Sequence, residues 1–290
     1  MQMSPQDLIA LLRVEPLEHN LFRGQSADIG SPQVFGGQVL GQALMAAGRT
    51  VPGDRSVHSL HAYFLLPGDK RAPIVYEVER IRDGGSFTTR RVVAIQHGQR
   101  IFNFAASFHT PEPGVEHADA MPEVPPPESL RSEDDLRREF APRAPAALRR
   151  FFEPTALEIR PVQTFHPLQP TPMPPRFESW MRCREPLPDE PLLHQALLAY
   201  ASDWGLLRTA MLPHGLSFMD KGLRVASLDH AMWFHGDFRL DDWLLYATES
   251  PRAGGARGFC RGQAFTRDGR LVASMAQEGL VRRVPPPAAA

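Results

Sequence analysis

Two stretches of the chain place apolar and small residues at helical spacing. One is FGGQVLGQALMAAG, residues 35–48, opened by a Gly-Gly turn, and the other is HQALLAYASDWGLLRTAML, residues 194–212. Each predicts one long helix with a buried stripe. Behind each helix come runs rich in Val, Ile, Phe and Tyr. The first half offers VHSLHAYFL, IVYEVERIR, SFTTRRVVAIQ and RIFNFAASFH, punctuated by PGDK, DGG and HGQ. The second offers RVASLDHAMWFH, WLLYATES, GARGFCRGQAFT and RLVASMAQEGLV, punctuated by HGD, GG and RDGR. These read as strands separated by turns. Each half therefore predicts one long helix and four or five antiparallel strands, an α+β layer pair in which the sheet wraps around its own helix.

The two halves share a register. Ser59-Leu60 recurs as Ser227-Leu228, and Gly68-Asp69 recurs as Gly236-Asp237, at one common offset. A period this long marks a duplicated domain, not a solenoid. Between the halves, residues 110–175 are crowded with proline, which argues against regular sheet there. The charged segment ESLRSEDDLRREF predicts one short exposed helix in that connector, its acidic-then-basic order suiting the helix dipole.

Composition narrows the function without naming it. With 290 residues, 42% hydrophobic and 22% charged, the chain can bury a sizeable core. A net charge of −1 supplies no global field for nucleic acid or anionic membrane. Lys70 and Lys221 are the only lysines, so the many arginines reflect base composition more than a binding patch. The longest apolar run is interrupted by Gln38 and Gln42 and is too short to insert in a membrane. Cys183 and Cys260 lie in no C-x-x-C arrangement, so a reducing cytoplasm and no disulfide are expected. The start MQMSPQDL lacks a basic n-region, and the end VPPPAAA is not a peroxisomal address.

Several common chemistries find no motif. There is no G-x-S-x-G elbow, no G-x-G-x-x-G opening a helix and no P-loop. The glycines of FGGQVLGQ suit close helix–sheet packing. His58 and His61 differ in strand parity, as do His230 and His235, so no metal spacing emerges, and these histidines read as structural or solvent-facing. Asp203 stands out, a carboxylate in the middle of a nearly apolar helix. It shares a face with Ala196, Ala199 and Tyr200, at the border of the buried stripe. Gln277 continues the apolar-parity face of Leu271, Ala273 and Met275, where an amide needs partners. Ser227 opens the strand after the helix, on a face the pattern leaves open. Taken singly, each also reads as an ordinary residue: an Asp at the stripe's edge, a strand serine, a strand-end amide.

Together with FGGQVLGQAL, VHSLHAYFLLPGD, RDGGSFTTRRVVAIQ, HQALLAYASD, SLDHAMWFHGDFRLDDWLLY, ARGF and QEG, these residues give the chain a resemblance to the acyl-CoA thioesterase II family. Those are the tandem, or double hot-dog, thioesterases. The resemblance implies an N-terminal hot-dog unit over 1–112, a Pro-rich linker over 113–152 and a C-terminal unit over 153–285 that carries the catalytic residues. It implies hydrolysis of acyl-CoA by a water activated by Asp203 with Ser227 and Gln277. No cofactor or metal is expected, CoA being part of the substrate, and a homo-oligomer is expected. The nearest family pattern has Thr where this chain has Ser227. Two other readings stay open: a non-catalytic acyl-CoA-binding protein, and a hydratase or dehydratase built on an Asp–His pair. Arg90 and Arg91 are expected as an exposed pair on a solvated strand face, with CoA phosphates as their alternative partner.

Overall fold

The computed structural model describes residues 3–144, 149, 152, 153 and 155–284. Helix α1 (Pro5–Leu12) starts on a capping box made by Ser4 and Asp7, with Pro5 in the first turn. Two short strands follow, β1 (Glu15–Glu18) and β2 (Leu21–Gly24), and then helix α2 (Gly36–Gly48). The first half closes with β3 (Ser56–Phe64), β4 (Ile74–Asp83), β5 (Phe87–Gln96) and β6 (Gln99–His109). A short helix α3 (Glu133–Phe140) precedes β7 (Leu157–Pro161) and β8 (Arg176–Cys183). Helix α4 (Pro191–Ser202) and one turn, α5 (Arg208–Met211), lead into β9 (Leu223–Ser227) and β10 (Asp229–Phe234). The last strands are β11 (Leu244–Gly254), β12 (Arg257–Thr266) and β13 (Leu271–Arg283).

All the strands join one antiparallel sheet, ordered β1-β2-β4-β5-β6-β3-β10-β13-β12-β11-β8-β7, with β9 also on β13. Each half repeats the same strand order, and the halves meet where β3 pairs β10, Ala62 opposite His230 and Leu60 opposite Met232. Helices α2 and α4 lie antiparallel against one another inside the sheet. Their close approach is a small-residue effect: a Cβ on Gly41 would sit 2.9 Å from the Ala196 carbonyl, and one on Gly37 would run into the Tyr200 carbonyl. The glycines of FGGQVLGQ therefore serve helix–helix packing, not the helix–sheet packing expected of them. One continuous apolar core takes in both helices and both halves of the sheet.

Four expectations need correction. Each half has more strands than the four or five predicted, because β1, β2, β7 and β8 precede the helices. β1 is exposed along its length, so it carries no alternation to read. β7 falls inside the proline-crowded segment, which it tolerates because it is an edge strand with Pro161 at its end. The connector helix is only half exposed: α3 buries Leu136 and Phe140, and Arg137 stacks over the Trp204 ring at 5.4 Å. Finally, Arg90 is not a solvated strand residue. It is fully buried, which removes it as a partner for CoA phosphates, whereas Arg91 is exposed and paired with Glu79.

Candidate active site

The predicted long helix over 194–212 stops at Ser202, because Gly205 takes a left-handed φ of +82° and Asp203 becomes the C-cap. Asp203 is thus at a helix C-terminus, not in mid-helix, where the negative end of the α4 dipole opposes its charge. Its Oδ2 faces the N-terminus of α2, where the Gly37 N–H donates to it at 2.9 Å. Asp203 therefore sits at the junction of the two halves, and a Cβ on Gly36 would lie 2.7 Å from the same oxygen.

The three residues singled out in the sequence converge. Gln277 Nε2 donates to Asp203 Oδ1 at 2.9 Å and to Ser227 Oγ at 2.6 Å. Ser227 Oγ donates to Asp203 Oδ1 at 3.2 Å. The β-ladder explains how. Gln277 is fully buried on the inner face of β13, and Ser227, at the end of β9, pairs opposite Gly279 on that strand. The strand predicted over RVASLDHAMWFH breaks at Leu228, between β9 and β10, where the register on β13 shifts by one residue. That irregularity settles the face of Ser227, which alternation alone had left open.

Apolar rings surround the carboxylate. Phe35 packs edge-on against Tyr200 and Trp204, with centroids at 5.1 and 5.6 Å, and Phe64 abuts Gly36. Burial pushes the Asp203 carboxyl up to about 6, against the hydrogen bonds from Gln277, Ser227 and Gly37 that pull it down. The result is a carboxyl group held close to neutrality.

Two contributors were not read from the sequence. The Gly37 N–H comes from the other half of the chain, signalled only by a Gly-Gly at a helix start. His230, expected to be structural or solvent-facing, is fully buried beside Gln277, with Nε2 2.9 Å from Ser202 Oγ. Its neighbour Asp229 turns away and accepts from the Glu278 N–H at 2.7 Å, so no Asp–His pair forms. A cavity of about 880 Å³ opens at the opposite end of α4, lined by Pro191, His194, Arg239 and Arg270 among others. None of Asp203, Ser227 and Gln277 lines it.

This architecture, α+β with two sheet-wrapped helices and the carboxylate at their junction, is the double hot-dog class. A solved hot-dog protein from Alicyclobacillus acidocaldarius shares the fold at TM-score 0.75 and 20% identity, over 96% of this chain and 98% of its own. The chain belongs to the acyl-CoA thioesterase family. The family model described as acyl-CoA thioesterase matches residues 147–280, and the acyl-CoA thioesterase N-terminal domain matches residues 23–109. Acyl-CoA thioesterase 2 of Haemophilus influenzae is 43% identical, over 95% of this chain and 97% of its own. Human acyl-coenzyme A thioesterase 8 is 42% identical, over 95% of this chain and 88% of its own. The crystal structure of acyl-CoA thioesterase II TesB2 from Mycobacterium marinum superimposes at TM-score 0.79 with 44% identity, covering 97% of this chain and all of that one. Among the described residues, no helix is long and apolar enough to cross a membrane.

Proposed function

We propose that the chain hydrolyses acyl-CoA to a free carboxylic acid and CoA, with Asp203 as general base and Ser227 and Gln277 orienting the attacking water. One observation carries the assignment of roles: a carboxylate of raised pKa shares hydrogen bonds with one hydroxyl and one amide in an apolar setting. In the reaction, the water oxygen attacks the thioester carbon while Asp203 takes its proton. The C–S bond then breaks, and the thiolate leaves with that proton. The thiol is a workable leaving group, its ordinary pKa being about 8.5. Holding the water on a carboxylate that Ser227 and Gln277 fix in place lowers the barrier by orientation. The Gly37 N–H, at the positive end of α2, favours the ionised form of Asp203 before attack.

No cofactor or metal takes part in this scheme. A non-catalytic acyl-CoA-binding role has no use for a base of raised pKa, and a hydratase scheme lacks its Asp–His pair. Single turnover in ¹⁸O-water tests the mechanism. Label confined to the released acid supports direct water attack, and label in the Asp203 carboxylate means that Asp203 itself attacked and formed an anhydride. Thiol release followed with DTNB across acyl lengths tests the reaction and its range together. We further infer a homo-oligomer, because β1 and β7 leave open sheet edges and Tyr63 stands 61% exposed on the sheet face. The buried free cysteines, Cys183 and Cys260, support a reducing, cytoplasmic setting.

A further inference from the structure

Within the buried ring of side chains around Asp203, two polar atoms have no hydrogen-bond partner: His230 Nδ1 and Gln277 Oε1. The residues that carry them are neighbours across the β10–β13 ladder, one step beyond the Ala231–Ala276 pair, and both are fully buried. Each orphan atom is costly alone, and they satisfy one another only if one of them holds a proton.

The proton count decides which. Both protons of the Gln277 amide nitrogen are committed, to Asp203 Oδ1 and Ser227 Oγ, so Oε1 is left as an acceptor pointing away from them. Turning the amide over would set Oε1 against the Asp203 carboxylate at 2.9 Å, acceptor against acceptor. On the far side of the imidazole, Ser202 Oγ lies 2.9 Å from both Ala199 O and His230 Nε2 and 3.3 Å from Met232 Sδ, a weak acceptor, and a hydroxyl has one proton to give. If that proton goes to Ala199, Nε2 must carry the imidazole proton, and Nδ1 and Oε1 are left as two buried acceptors on neighbouring residues. If it goes to Nε2, the imidazole proton sits on Nδ1, which then has a proton to offer the Gln277 side chain beside it.

We propose that His230 is a positioning residue, the Nδ1–H tautomer locked by the Ser202 hydroxyl and donating to Gln277 Oε1. It thereby holds the Gln277 amide with its NH₂ towards Asp203 and Ser227. The chain Ser202–His230–Gln277 fixes the polarity of a group that has two nearly isosteric orientations, one of which repels the base. Burial pushes the His230 pKa down to about 4, while the Gln277 side chain pulls it up, so the ring is neutral wherever Asp203 is ionised. This inference rests on the reading of Gln277 as a water-orienting group.

Two amide replacements separate the nitrogens of the ring. An Asn amide reaches about as far as Nδ1, and a Gln amide about as far as Nε2. His230→Asn, which keeps the donor to Gln277, is expected to stay within about threefold of the parent kcat. His230→Gln and His230→Leu, which lose it, are expected to lower kcat about 10- to 100-fold with KM within about twofold, the size of effect that misplacing a reacting group produces. Gln277→Ala tests the underlying reading separately. If it keeps the parent kcat, that reading fails. If it loses activity while His230→Gln does not, the inference about His230 alone is overturned. Should the His230 variants not fold, the parent enzyme still decides: ¹⁵N NMR of its histidines is expected to show the buried neutral ring protonated on Nδ1, and protonation on Nε2 would overturn the proposal.

Discussion

The ends of the two central helices occupy matching places in the two halves and are filled in opposite ways. After α4, Asp203 meets Gln277 on β13, which pairs opposite Cys260 on β12. After α2, Thr50 meets Arg90 on β5, which pairs opposite Ala106 on β6. Arg90 spends all five of its donors there: Nε on Thr50 Oγ1, Nη1 on the Arg82 and Thr89 carbonyls, and Nη2 on the Thr50 carbonyl and Asp83. One half thus closes its helix end with a fully satisfied cation. The other keeps a carboxylate whose charged form is disfavoured by its surroundings. A duplicated fold offers two such places, and here one holds a fully bonded cation and the other a carboxylate of raised pKa.

The largest expected effect would break this contrast outright. Asp203→Asn and Gln277→Ala should each lower kcat by about 10²-fold or more, the range over which general-base catalysis acts. Near-parent turnover by DTNB assay in both would leave the C-terminal helix end as structural as its counterpart. Arg90→Met is the complementary experiment. It leaves the Thr50, Arg82 and Thr89 carbonyls short of a donor while the half-exposed Asp83 keeps its water, at a cost of about 1–3 kcal/mol for each buried group left unpaired. The expected result is a Tm lower by about 10 °C, with kcat per folded molecule within about twofold. A loss of kcat at unchanged Tm would place chemistry in the first half.

The carboxylate's raised pKa makes a quieter prediction, with a definite sign. The folded value of about 6 lies above the ordinary 3.8, so the native state binds the extra proton between these limits. Stability therefore falls as pH rises from 3.8 to 6, and the cost, about 2–3 kcal/mol, is fully present above 6. Asp203→Asn should then melt about 4 °C higher than the parent at pH 8, with the gap closing towards pH 4. In the parent, kcat/KM should fall about tenfold per pH unit below about 6. A gap that does not change with pH would mean the carboxyl is not held out of its ordinary range.

Much of this was legible in the chain, and the failures share one cause. Long strands with clear alternation, such as β5 and β6, fall where FTTRRVVAIQ and RIFNFAASFH place them. The parity of Leu271, Ala273 and Met275 puts Gln277 on the buried face. What periodicity missed was set by single-residue events: Gly205 ending α4 one residue after Asp203's neighbour Trp204, the slip at Leu228, Pro161 closing an edge strand. Arg90 was misread because burial of a charge depends on carbonyls brought in by Thr50 and Arg82, which no local pattern announces. His230 is structural, one of the two readings its strand position left open, and its buried partner Ser202 comes from α4.

The smallest expected effect concerns Ser227, where related patterns carry Thr. Its hydroxyl accepts from Gln277 and donates to Asp203, and both bonds need only an oxygen in that place. A threonine keeps the oxygen and adds a methyl, which narrows χ1 and suits the end of a strand. Ser227→Thr should therefore leave kcat within about threefold, whereas Ser227→Ala removes the oxygen and leaves Gln277 one donor without a partner, costing about 1–3 kcal/mol in the transition state or in stability. Kinetics with one acyl-CoA at saturating concentration separates the two variants. If threonine is as damaging as alanine, the pocket has no room for the methyl, and Ser227 was set by the space beside Asp203 more than by its hydrogen bonds.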